Sequence, residues 1–201
     1  MNRIVLRGVV RNIQPSHTVA GNQFDSAQLV VKNSDGTDSV ITLKFKHAPI
    51  SRVEEGDYIS LVGNVRSYSY NDGNKNHVEL YVYTYFDTPE ATVTLDDTIE
   101  NYFSIDGNIC KKSRLRMYPT PNIQFIIANN IVTADNKKLN SYLSCSCYKE
   151  YAYLLSQLDI GTHIKIEGEL RSRTYVKQEE GEDVIHVAHE LFVTHLGVSA
   201  E

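Results

Sequence analysis

One pattern is written into this chain twice, and that repeat constrains its fold more than any other feature. Asn2, Leu6 and Gly8 recur as Asn101, Ile105 and Gly107, each 99 positions further on. Gly56, Ile59, Gly63, Arg66, Ser67 and Tyr70 recur as Gly161, Ile164, Gly168, Arg171, Ser172 and Tyr175, each 105 positions further on. Six matches at one spacing indicate an internal repeat. Between the copies lies DTPEATVTLDDTIE, acidic, threonine-rich and interrupted by a proline, which reads as a connecting segment. The expected organisation is a first domain over residues 1–86, an acidic linker over 87–100 and a second domain over 101–201.

Within each copy the dominant period is two. Ile59, Leu61, Gly63 and Val65 alternate with Ser60, Val62, Asn64 and Arg66, and Val78, Leu80, Val82 and Thr84 alternate with Glu79, Tyr81 and Tyr83. This is the signature of half-buried antiparallel strands. Turn chemistry separates them at Asn33-Ser34-Asp35-Gly36, Asn71-Asp72-Gly73-Asn74 and Glu179-Glu180-Gly181-Glu182. One helix is expected, over Lys149 to Leu158, where Tyr151, Leu154, Leu155 and Leu158 share a face and Gly161 follows as a stop. The matching stretch of the first copy contains Pro49, which argues against a regular helix there. About five strands with a helix between the third and fourth is the element order of an OB-fold, a small five-stranded Greek-key barrel. The expected fold class is all-β, two tandem OB-folds with one short helix in the second. An immunoglobulin-like sandwich is the competitor, but it needs about seven strands per copy and no helix.

Composition excludes several alternatives. With 41% apolar and 22% charged residues the chain is ordinarily globular, not disordered. No apolar run approaches membrane-spanning length, and Arg3 and Arg7 sit inside an alternating pattern where a secretory signal would need an apolar block. Three cysteines, Cys110, Cys145 and Cys147, cannot all pair within one chain, which suits a reducing, cytoplasmic setting. Taken whole, the net charge of -5 disfavours nucleic acid, yet residues 1–86 carry +1, residues 87–100 carry -5 and residues 101–201 carry -1. The acidity therefore belongs to the connecting segment.

The strand after Gly161 carries the most chemistry. Alternation places Ile164, Ile166, Gly168, Leu170, Ser172 and Thr174 inside, and Lys165, Glu167, Glu169, Arg171, Arg173 and Tyr175 outside. Guanidinium groups pair with phosphates, and an aromatic ring offers a sequence-tolerant stacking platform of about 1–3 kcal/mol per base, so this stripe suits a single-stranded nucleic acid. Arg66, Tyr68 and Tyr70, with Asn64, repeat it in the first copy. Tyr148 is expected to be exposed beside Ser144 and Ser146, with Cys145 and Cys147 buried. Phe45 shares a face with Ile41 and Leu43, so core and stacking roles both stay open. Lys111, Lys112, Arg114 and Arg116, followed by Tyr118, form a basic run expected at the first hairpin of the second barrel. Tyr81, Tyr83 and Tyr85 form a stripe that suits a subunit or domain interface first and base stacking second.

Catalytic and metal signals are weak. His186, His189 and His195 would not share one strand face, and no nucleotide-cradling, nucleophile-elbow or zinc-protease motif occurs. No enzyme activity, cofactor or metal is expected.

The second copy resembles the bacterial single-stranded DNA-binding protein (SSB) family. NYFSIDG (Asn101 to Gly107) is similar to its opening strand, Tyr118-Pro119-Thr120-Pro121 to its first-hairpin segment, and Tyr142 to Gly161 to its third strand and helix. IEGELRSRTY (Ile166 to Tyr175) and Ile185 to Leu196 resemble its last two strands. The first copy matches more loosely, through NRIVLRG and EEGDYISLVGNVRSYSY. The resemblance implies single-stranded DNA as partner, with stacking roles for Tyr148 and Tyr175 and, in the first copy, for Tyr70 and Phe45. It also implies a working assembly of four OB-folds, hence a homodimer, and a place in replication, recombination or repair. The chain departs from the family in lacking Trp and in lacking an acidic tail after Leu196, which puts a partner-recruiting hub role in doubt and leaves the DNA-coating role standing; replication or recombination proteins stay open as partners. The alternatives kept open are a protein-interaction adaptor, of primosome-accessory or mobile-element type, and an RNA-binding or oligosaccharide-binding OB-fold pair. The second barrel is expected to carry the better-formed surface.

Overall fold

The structure, a computed structural model, describes residues 1–19, 21–47, 53–71, 76–84, 100–132, 138–179 and 182–198. Ten strands and one helix follow in order: β1 (Asn2–Val19), β2 (Asn22–Lys32), β3 (Asp38–Lys46), β4 (Tyr58–Asn71), β5 (Asn76–Thr84), β6 (Asn101–Lys112), β7 (Asn122–Val132), β8 (Lys138–Tyr148), α1 (Lys149–Gln157), β9 (His163–Glu179) and β10 (Glu182–Val198). The expected turns at 72–74 and 180–181, and the connecting segment except Glu100, lie outside the described residues.

The pairings close two barrels with one topology. In the first, β1 pairs with β2, β2 with β3, β3 in parallel with β5, β5 with β4, and β4 returns to β1. In the second, β6, β7, β8, β10 and β9 repeat that circuit, again with one parallel pair, β8 with β10. This is the Greek-key closure of an OB-fold. The repeated glycines show why closure is possible. A Cβ on Gly63 would lie 2.7 Å from the Tyr83 carbonyl oxygen, and one on Gly168 would lie 2.0 Å from that of Phe192. At these positions only glycine lets two backbones approach so closely.

Alternation supplies the cores. Leu29, Ile41, Leu43, Leu61, Val65, Leu80 and Val82 fill the first barrel, and Ile105, Ile127, Leu143, Cys145, Ile164, Ile166, Leu170 and Leu191 fill the second; all are buried. Burial raises the Cys145 thiol pKa well above its ordinary value and pushes that of Cys147 up to about 12, so neither is a thiolate near neutral pH. The helix seals the second barrel with Ala152 and Leu155, while Leu154, expected on that face, is exposed. Lys112 Nζ reaches the carbonyls at the helix C-terminus, 2.9 Å from that of Ser156 and in contact with that of Leu158, where a cation complements the helix dipole. Among the described residues between β3 and β4 there is no helix.

The barrels are joined side by side with approximate two-fold symmetry. Asn2–Leu6 of β1 runs antiparallel to Asn101–Ile105 of β6, with Ile4 opposite Phe103, so the ten strands form one continuous sheet. The repeated asparagines clamp this seam. Asn2 exchanges two hydrogen bonds with the Val65 backbone (2.7 and 2.9 Å), and Asn101 does the same with Leu170 (2.9 and 3.0 Å). Each asparagine also donates to an asparagine of the other barrel, Asn2 to Asn129 and Asn101 to Asn33. The repeated serines complete the exchange: Tyr142 N–H donates to Ser67 Oγ, and Val40 N–H donates to Ser172 Oγ. Ser172 therefore serves the seam and is not a core residue as expected, and Thr174 is exposed because the β9–β10 hairpin continues beyond the barrel.

Candidate nucleic-acid interface

Positions between the core residues of β3, β4 and β5 point outward, and in the first barrel they carry a dense aromatic and cationic set. Lys44 lies between the buried Leu43 and Phe45, so its side chain stands on the outer face. Its ammonium sits 4.5 Å from the Tyr68 ring centroid and 4.7 Å from that of Tyr81. The Arg66 guanidinium lies 3.9 Å over Tyr83, and Phe24 of β2 is tilted against Tyr83 at 6.3 Å while stacking on His17 at 5.0 Å. Together with Leu139, Asn140 and Ser141 of the second barrel, His17, Phe24, Lys44, Arg66, Tyr81 and Tyr83 line a groove of about 320 Å³.

The electrostatics of this groove are those of partly dried cations over rings. Burial lowers the Lys44 pKa, opposed by the nearby Glu79 carboxylate. Burial raises the pKa of the Tyr81 phenol, offset by the hydrogen-bonded Arg66 guanidinium. Arg66 Nε is buried with no hydrogen-bond partner among the described residues. Such a surface presents flat rings, a guanidinium plane and two positive charges within one short groove.

The second barrel uses the equivalent positions differently. Arg171, the repeat partner of Arg66, lies 3.9 Å over Phe192. It is also held by Glu169 (2.6 and 2.9 Å) and by Asp35 of the first barrel (2.8 Å). Glu169, expected outside, is only 8% exposed and also accepts the Ser34 N–H at 2.7 Å. Hydrogen bonds from Thr37, with help from Arg171, hold the Asp35 pKa below the usual carboxylate value. Tyr148 is half-buried and packs on Phe192 at 5.3 Å. Beside this stack, Lys111, Gln124, Ser144, Arg173 and Glu190 line a groove of about 390 Å³ that Val78 of the first barrel also walls. His189 lies there too, bonded through Nε2 to the Val40 carbonyl at 2.9 Å, and burial lowers its pKa.

The sequence-derived candidates thus fall into distinct places. Arg66 and Tyr68 come together with Lys44, Tyr81 and Tyr83. Arg173 lies 5.9 Å from the Tyr175 ring on the exposed hairpin, and Lys111 shares its groove. Arg114, Arg116 and Tyr118 stand in solvent on the β6–β7 connection, Tyr118 being 90% exposed. Lys112 is occupied by the helix terminus. The side chain of Tyr70 and all of Tyr85 lie outside the described residues. Phe45 needs correction: it is 4% exposed in the core and offers no face to a base. The pairing registers make Phe45 the counterpart of Cys147 and Lys46 that of Tyr148, a one-residue slip that reverses the face. Lys44 and Phe24 were not anticipated. Strict alternation between Leu43 and Phe45 already placed Lys44 outside, whereas Phe24 sits in the polar stretch NQFDS, where no periodicity marks it.

No family model and no curated protein matches the sequence. Solved structures do match. The wild-type single-stranded DNA-binding protein from Thermus aquaticus superimposes with a TM-score of 0.71 at 15% identity, covering 100% of this chain and 94% of that one. A deletion variant of the same protein gives 0.69 at 14% identity, covering 100% and 95%. The small single-stranded DNA-binding protein from Streptomyces coelicolor matches half of this chain, with a TM-score of 0.40 at 17% identity and 96% of its own length covered. From end to end, this chain has the tandem OB-fold architecture of the Thermus aquaticus single-stranded DNA-binding protein.

Proposed function

We propose that this chain binds single-stranded DNA with little base preference, by stacking bases on aromatic rings and pairing phosphates with lysine and arginine. The observation that carries the reading is the first-barrel groove, where Phe24, Tyr81 and Tyr83 meet Lys44 and Arg66. Rings provide stacking that every base satisfies, and cations track the backbone. Arg173, Tyr175, Lys111, Arg114, Arg116 and Tyr118 extend this surface over the second barrel. The binding serves to coat and protect the strand in replication, recombination or repair, with two chains supplying four barrels.

The test is fluorescence anisotropy of a labelled oligo-dT of about 35 nucleotides, at low and high salt, beside a duplex of equal length. Tight binding to the single strand alone, falling steeply with salt, is the expected result. No binding at low salt overturns the reading.

A second reading, a protein-interaction adaptor, draws on an exposed apolar patch. Met117 and Tyr118 are exposed, and the Tyr153 hydroxyl contacts Met117 Sδ at 3.8 Å. It predicts no affinity for oligonucleotides and a specific partner that is lost with Tyr118→Ala.

A further inference from the structure

Resting on the single-strand reading, we propose that the two barrels divide the ligand between them: the first-barrel groove holds bases, and the second-barrel groove holds the sugar-phosphate backbone. Two sets of observations carry this. The first-barrel groove is walled by the rings of His17, Phe24, Tyr81 and Tyr83, and both its cations lie over aromatic faces. Its charges therefore extend the stacking platform as much as they attract phosphate.

In the second barrel the rings beside the equivalent arginine, Phe192 and Tyr148, are engaged internally, and Tyr175 and Tyr118 stand on the exposed hairpin and the β6–β7 connection outside the groove lining. Phe192 has Arg171 against it at 3.9 Å and Tyr148 at 5.3 Å, and Arg171 is neutralised by Glu169 and Asp35. The adjoining groove has Phe125 as its one six-membered ring among the described residues, and that side chain is only 3% exposed. What the groove does offer is two exposed cations, Lys111 and Arg173, that form no ion pair among the described residues, beside the hydrogen-bonding Gln124 and Ser144. His189 adds no positive charge near neutral pH, because burial lowers its pKa. Glu190 is the negative group in this groove, so the backbone track follows the Lys111 and Arg173 side.

Both grooves also reach the seam between the barrels. Leu139–Ser141 of the second barrel wall the first groove, Val78 of the first barrel walls the second, and Ser67 and His189 bond across the seam between them. One strand crossing the seam can engage both.

The experiment compares two labelled strands of equal length, oligo-dT and an abasic deoxyribose-phosphate polymer, with the full chain over a salt series. Phe24→Ala with Tyr83→Ala is expected to weaken oligo-dT binding about tenfold or more, leaving abasic affinity and the salt slope as in the unaltered chain. Lys111→Ala with Arg173→Ala is expected to weaken both strands equally and to flatten the slope by about 0.7 for each cation removed. Phe24→Leu with Tyr83→Leu keeps the apolar volume should the alanine pair unfold, and is expected to show the same selective loss. An unchanged slope in the Lys111/Arg173 variant overturns the division, as does a larger base-dependent loss from Tyr148→Ala than from the Phe24/Tyr83 pair. Failure of the unaltered chain to bind oligo-dT overturns the single-strand reading itself; binding without the predicted partition overturns only the division.

Discussion

The outer faces of the two barrels occupy the same positions and do different things. Where the first barrel has Lys44, Arg66, Tyr68, Tyr81 and Tyr83, the registers place Ser146, Arg171, Arg173, Glu190 and Phe192 in the second. The inward positions, by contrast, are interchangeable: Leu43 against Cys145, Val65 against Leu170, Val82 against Leu191, all buried. A repeated barrel is held to its frame by packing and by close backbone approach, which tolerate little change. Its solvent face is free to diverge, and here one arginine lies over Tyr83 in the first groove while its repeat partner is a strut between domains. The lesson is that a residue's repetition does not carry its role with it. The sequence-based ranking favoured the second barrel because the strand after Gly161 carries the most chemistry and the closer resemblance.

The largest effect expected from the comparison lies in the frame. Gly168→Ala puts a Cβ 2.0 Å from a backbone oxygen, and Gly63→Ala puts one at 2.7 Å. Neither obstacle can swing aside as a side-chain tip would. Urea denaturation is expected to show a loss of more than about 3 kcal/mol for Gly168→Ala and about 1–3 kcal/mol for Gly63→Ala. Equal and negligible losses would mean that the barrels close without the tight crossing described above.

Next in size is the contrast between the two arginines. Arg171→Ala leaves Glu169 buried with only the Ser34 N–H, among the described residues, to satisfy it, and removes the tie to Asp35 across the seam. It is expected to cost about 2 kcal/mol of stability, less than a fully buried pair because the arginine is partly solvated. Oligo-dT affinity should change little. Arg66→Ala is expected to do the reverse, keeping the melting temperature within a few degrees and weakening oligo-dT binding severalfold. Melting curves and anisotropy on the same two proteins decide it. A loss of binding from Arg171→Ala at unchanged stability would return the second barrel to first place.

These contrasts show how much the sequence could and could not reveal. The period-two alternation and the repeated glycines carry the barrel, because burial and backbone approach act at each position separately and leave a local trace. The inward set from Ile164 to Leu170 is buried as read, and the helix begins at Lys149 as read. The stripe Arg171, Arg173, Tyr175 was read from the same alternation, but alternation reports only which side of the sheet a residue faces. It cannot report that Asp35, 136 positions away, will reach across the seam and neutralise Arg171. Nor can it report that Lys112 will be drawn to the end of a helix that begins 37 residues later. Phe24 and Lys44 were missed for the same reason, since their value lies in a convergence of β2, β3, β4 and β5 that exists only once the barrel closes.

The smallest effect concerns the one of the five outer positions at which a negative charge stands on the second face. Tyr81 donates a ring to the first groove, and Glu190, its counterpart, brings a carboxylate to the second. A strand that approaches Lys111 and Arg173 must pass that negative charge, and the repulsion works against binding over roughly a Debye length of about 10 Å at moderate salt. Glu190→Gln keeps the shape and removes the charge, so oligo-dT affinity is expected to rise about twofold to threefold at low salt and to return to that of the unaltered chain at high salt. The same substitution at Glu79, which lies by Lys44 and Tyr68 in the first barrel, alters a carboxylate already engaged with the Tyr68 hydroxyl. Its effect on binding should be smaller than that of Glu190→Gln. Anisotropy titrations at two salt concentrations measure both. A Glu190→Gln protein that binds no more tightly, or a gain that survives high salt, would place the phosphate track away from this groove and leave Arg173 and Lys111 as solvated surface charges.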